Sequence, residues 1–107
     1  MPINRLSSLI QMLEADPQDS FVRFAIAKEF ESLSQYDKAL EQFLILKSAD
    51  SQYIGLYYHL GKLYEKLENH SLAMKTYQEG ISEAKKLKDF HALSELNTAK
   101  VNLEMEI

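Results

Sequence analysis

The chain has 107 residues, 46% hydrophobic and 26% charged, enough for one domain with a modest core and ordinary for a folded rather than a disordered protein. Its formal net charge of −4 argues against a general nucleic-acid binder, which needs a basic phosphate-neutralising surface, and disfavours docking on an anionic membrane. The absence of cysteine excludes disulfides, cysteine-ligated zinc and thiol catalysis.

The first apolar residues are interrupted by Asn4, Arg5, Ser7, Ser8 and Gln11, with Glu14 and Asp16 close behind. That is not a secretory signal, and no run approaches the ~18 apolar residues of a membrane span, so a cytoplasmic protein is expected. Leu6, Leu9, Ile10 and Leu13 form an apolar stripe that predicts a helix from about residue 3 to 15. Asp16-Pro17 ends it, since proline disfavours helix in the residue before it. Asp19 or Ser20 can cap a second helix carrying Val22, Ile26, Phe30 and Leu33 and stopping near Ser34-Gln35.

A third helix is predicted from near Asp37, whose charge suits a helix N-terminus, to about Ala49, with a break at Asp50-Ser51. A fourth holds Tyr57, Leu60, Tyr64 and Leu67, and Glu68-Asn69-His70 reads as a turn with Ser71 as the next cap. The fifth carries Leu72, Ala73, Tyr77, Ile81 and Ala84, and the sixth, from about Asp89, has Leu93, Leu96 and Leu103 on one side.

Two stretches repeat each other at a period of 34 residues. Ala27, Lys28, Phe30, Glu31 and Leu33 align with Gly61, Lys62, Tyr64, Glu65 and Leu67. Ala39, Leu40 and Phe43 align with Ala73, Met74 and Tyr77. A period of this size predicts stacked helical hairpins. Gly61 falls inside a helix, where glycine costs ~1 kcal/mol relative to alanine, so a close helix approach is expected there.

A small residue, an aromatic three later, a leucine three beyond that and then Ala-x-x-x-aromatic together resemble the tetratricopeptide repeat. The resemblance implies an all-α fold, an α-solenoid of antiparallel hairpins with about six helices. Residues 20–53 and 54–87 would be two full repeats, 1–17 a helix from a degenerate half-repeat and 88–107 a capping helix. Arg23 stands where the early aromatic of the second copy is Tyr57, and Ser51 and Lys85 replace the repeat-ending proline. The chain is also similar to small stand-alone bacterial members, which implies a complete protein.

In this family ligands usually lie in a concave groove lined by the first helix of each repeat. The resemblance therefore implies a protein or peptide partner and no catalysis. Phe24, Lys28 and Glu31 share one helical face, and Tyr58, Lys62 and Glu65 repeat them at the same spacing. Phe21 and Gly55 extend the rows by one turn, and Ala92, Leu96 and Ala99 are candidates to continue them. Exposed aromatics beside lysines suit a peptide platform, with lysine pairing a ligand carboxylate and Gly55 admitting a ligand backbone. The alternative is that Phe24 and Tyr58 pack against neighbouring helices while the Lys/Glu pairs are solvated charges.

Some members clamp the C-terminal carboxylate of heat-shock chaperones with lysine, arginine and asparagine. Here Phe24 stands at the first cationic position, and Lys28 and His59 stand where asparagines belong. That clamp is not expected. His59, His70 and His91 have no metal-ligand spacing, no nucleophile elbow or phosphate-binding glycine loop occurs, and neither cofactor nor metal is expected. Lys85, Lys86 and Lys88 fit a helix C-terminus better than a nucleic-acid patch. A homo-oligomer is the other possibility, stacking through Ile3, Leu6 and Ile10 at one end or Val101, Met105 and Ile107 at the other.

Overall fold

Six α-helices make up the elements of the structure, a computed structural model that describes residues 4–106. They are α1 (Arg5–Ala15), α2 (Ser20–Ser32), α3 (Tyr36–Ala49), α4 (Gly55–Lys66), α5 (His70–Leu87) and α6 (Phe90–Glu106), with no strand among the described residues. Ile3 and Ile107, named above at the chain ends, lie outside them. The helices form two units, the first holding α1–α3 and ending at Tyr53, the second beginning at Ile54 and holding α4–α6. Each unit contains one hairpin of the expected all-α helical repeat. In the first, α2 packs on α3 and on α1. In the second, α5 packs between α4 and α6, which also touch.

Local chemistry sets the boundaries. The Asn4 side chain accepts from the Ser7 N–H at 2.7 Å, and the Asp19 carboxylate accepts from the Val22 N–H at 3.1 Å, satisfying donors that helix starts leave unpaired. Asp37 lies in the first turn of α3, complementing its dipole. The cap of α5 differs from expectation. Asn69, not Ser71, accepts from the Leu72 N–H at 3.1 Å, so α5 starts at His70. Asp89 does the same for the Ala92 N–H at 3.0 Å.

Three helices end alike. Ser34, Glu68 and Lys88 adopt left-handed backbone, with φ of 59°, 60° and 56°. The residue after each donates its N–H back across the turn: Gln35 to Phe30 O, Asn69 to Tyr64 O and Asp89 to Ala84 O, at 2.9, 2.9 and 3.0 Å. This is the Schellman closure, usually built on glycine. Leu33 and Leu67, read above as the last members of helical stripes, instead follow the last residues of α2 and α4 and are half-exposed.

In the first unit the buried side chains are Val22, Ile26, Ala27, Ala39, Phe43 and Leu46. In the second, Tyr57, Tyr64 and Tyr77 join leucines of α4 and α6. The small residues have specific reasons. A Cβ on Gly61 would lie 2.2 Å from the Tyr77 ring, and one on Gly80 would lie 2.5 Å from Tyr57 Cβ. Both glycines let an aromatic from the other helix of the hairpin come closer than alanine permits.

Candidate functional site

In the first unit, the Asp19 cap starts α2 so that Phe21, Phe24, Lys28 and Glu31 follow along one side of the helix. Phe21 is 67% exposed. Phe24 is half-buried, its ring edge-on to Phe43 at 6.1 Å between centroids and tilted on Tyr53 at 5.2 Å. Phe24 is therefore both part of the packing and part of the surface. The exposed Lys28 places Nζ 5.4 Å from the Phe24 ring centroid, a cation–π contact. Glu31 is half-buried. Burial raises the Tyr53 phenol pKa above its ordinary value, and the nearby Asp19 and Asp50 carboxylates push it further the same way.

Arg5 of α1 completes this face. Its Nε lies 3.4 Å from Glu29 Oε2. Between α1 and α2 is a cavity of about 330 Å³ bordered by Arg5, Phe21, Phe24, Ala25, Lys28 and Glu29. No local spacing in the sequence marks Arg5 for this face, because its partner Glu29 lies 24 positions away on another helix.

The second unit repeats the motif with one difference. Lys62 Nζ lies 5.7 Å from the Tyr58 ring centroid, matching the Lys28–Phe24 contact one repeat earlier. Here the lysine also meets a carboxylate, Glu65 Oε2, at 3.8 Å. Glu65 in turn accepts a hydrogen bond from the Tyr77 hydroxyl. Burial, with the neighbouring carboxylate, holds the Tyr77 phenol pKa far above its ordinary value. Tyr58 stacks edge-on with His59 at 5.5 Å. Gly55 is the first residue of α4 and half-buried.

Of the residues considered to extend this row onto α6, Leu96 is 1% exposed and is core, its Cδ1 lying 3.0 Å from where a Gly80 Cβ would stand. Ala92 is half-buried. Ala99 is buried too, but borders a cavity of about 190 Å³ with Tyr58, Glu95, Thr98 and Asn102. The polar residues of α6 that reach this site are thus Glu95, Thr98 and Asn102. A larger hollow of about 890 Å³ follows a single face of α5 past His70, Met74, Lys75 and Gln78. It has no phenylalanine or tyrosine to anchor a ligand and is the weaker candidate.

Among the described residues no group of three metal-ligating side chains occurs, and no helix is long and apolar enough to cross a membrane.

Comparison with known proteins gives one consistent picture. A family model for the tetratricopeptide repeat matches residues 54–87. A solution structure of a tetratricopeptide repeat domain protein from Salinibacter ruber is 43% identical over 83% of this chain and 90% of that one, with a TM-score of 0.80. A crystal structure of a tetratricopeptide repeat domain protein from the same organism gives 42% identity over 80% and 97%, with a TM-score of 0.77. A protein of Bordetella parapertussis, at 22% identity, shares the fold over 98% of this chain and 91% of its own, with a TM-score of 0.85. No curated protein matches the chain.

Proposed function

This chain belongs to the tetratricopeptide repeat family, and on that premise we propose that it is a non-catalytic adaptor, active in the cytoplasm, that binds a peptide or helix of another protein, with the α2 face of the first unit and the α4 face of the second each offering contacts. The family generally mediates protein–protein interaction, and its fold is generally a scaffold without catalysis. In this reading residues 20–53 and 54–87 act as the two repeats, with 1–17 and 88–107 as flanking helices. The observation that carries it is the recurrence of the same aromatic–lysine stack at matched positions, Phe24 with Lys28 and Tyr58 with Lys62. Aromatic side chains with a cation beside them offer a ligand both contact area and charge. Phe21, Glu31, Gly55 and Glu65 complete the proposed surface. An affinity near micromolar, about −8 kcal/mol, suits such a site.

The test is affinity capture from a bacterial lysate, with wild type beside a Phe24→Ala/Tyr58→Ala/Lys62→Glu variant of unchanged helicity. A partner held by the first and lost by the second supports the reading, and a partner held equally by both removes it.

Self-assembly through the terminal helices is the second reading. It rests on the exposure of Val101 and Met105, 50% and 80%, on the outside of α6. Light scattering over a concentration series decides it, and a strict monomer rejects it.

A further inference from the structure

The two aromatic–lysine stacks differ in charge, and the difference points to a ligand. In the second unit Lys62 is offset by Glu65, and the adjoining cavity between α4 and α6 contributes a further carboxylate, Glu95. In the first unit the Lys28 ammonium rests on the neutral ring of Phe24. A cation–π contact positions a charge without neutralising it. The adjoining cavity carries a second cation, Arg5, engaged with Glu29 through Nε. The Arg5 side chain is 73% exposed. Most of the five donors of its guanidinium therefore remain available to an incoming carboxylate.

Lys28, Arg5 and Glu29 make the lining of this cavity net cationic in a chain whose net charge is −4. Phe21, Phe24 and Ala25 supply its apolar lining, and Phe21 is exposed.

We infer that the cavity between α1 and α2 is a pocket for an acidic peptide segment bearing one large apolar side chain. The apolar group lies against Phe21 and Phe24, and aspartate or glutamate side chains on either side of it meet Lys28 and Arg5. The inference deepens the proposed function and rests on it. It also gives α1 a part in binding beyond covering α2. A long polyanion such as a nucleic acid is a poorer fit, because the rest of the acidic chain repels it.

The experiment pans a phage-displayed library of random peptides against the full chain. The enriched sequences, made as fluorescein-labelled synthetic peptides, are then measured by anisotropy at low and high salt. Expected is a consensus of one large apolar residue flanked by acidic ones. Its affinity falls about tenfold or more with Lys28→Ser and with Arg5→Ser, falls with salt, and is unchanged by Lys86→Ser on the exposed side of α5. A basic or uncharged consensus whose binding is lost with Phe24→Ala overturns this inference and leaves the interaction module standing. An acidic consensus indifferent to both Lys28→Ser and Arg5→Ser overturns it too. Enrichment of no peptide overturns both.

Discussion

Gly80 on α5 and Tyr57 on α4 are a matched pair: the backbone of one passes so close to the other that a single added methyl would lie 2.5 Å from Tyr57 Cβ and 2.9 Å from its Cγ. These atoms sit at the root of a buried side chain and cannot swing aside. Gly80→Ala should therefore force the helices apart and lower stability by roughly 1–3 kcal/mol, outweighing the ~1 kcal/mol that alanine gains in helix propensity. Chemical denaturation measures the outcome, and a stabilised variant would mean that the hairpin can open at no cost. The equivalent positions of the first repeat hold Arg23 and Leu46, with Arg23 turned to Gln42 Oε1 at 2.7 Å. Where the aromatic is missing, a larger residue takes the place of the glycine.

Ala73, fully buried on α5, gives a second test of the same crossing. Ala73→Leu adds three carbons where no space exists, and a loss of roughly 1–3 kcal/mol is expected. An unchanged melting temperature would contradict the packing register.

Glu68 shows a strain that can be relieved. Its left-handed φ of 60° suits glycine, and a side chain there costs roughly 1–2 kcal/mol. Part of that gain is offset by the greater freedom glycine has in the unfolded chain. Glu68→Gly should thus stabilise by about 0.5–1 kcal/mol, read from the midpoint of urea unfolding. Destabilisation would show that the Glu68 side chain makes up for its backbone.

The Tyr77 phenol gives a pH signature. Its pKa is raised above the ordinary 10.0 by burial and by the Glu65 carboxylate. A raised acid is neutral in the fold, so its contribution is fully present below pH 10 and is lost as pH rises beyond the unfolded value toward the folded one. Wild type should lose stability above about pH 10, and Tyr77→Phe should flatten that loss. The same substitution removes the hydrogen bond to the charged Glu65 carboxylate, at about 1.5–3 kcal/mol near neutral pH. Equal alkaline slopes for both proteins would refute the assignment.

Much of this architecture was readable in the sequence because its signals are periodic. The 34-residue offset relates Ala27 and Phe43 to Gly61 and Tyr77, and all four residues are buried. What stayed hidden depends on residues distant in sequence. No local pattern marks Gly80, because its reason, Tyr57, is on another helix. Ser71 and Asn69 are both capping residues by type, and the tight turn through Glu68 chose Asn69. Nothing about glutamate announces left-handed backbone.

The geometry of the candidate site was legible in part. The face Phe24–Lys28 and its copy Tyr58–Lys62 followed from i, i+4 spacing. That Phe24 also leans on Tyr53, and that Arg5 borders the same cavity as Lys28, depends on the fold.

The most direct measurement is an amide NMR titration of the labelled chain with the partner fragment recovered by capture. Binding at the α2 and α4 faces should shift the amides around Phe21, Phe24 and Lys28 and around Tyr58 and Lys62. Shifts confined to the α5 face through Met74 and Gln78, or to the outer residues of α6, would contradict it.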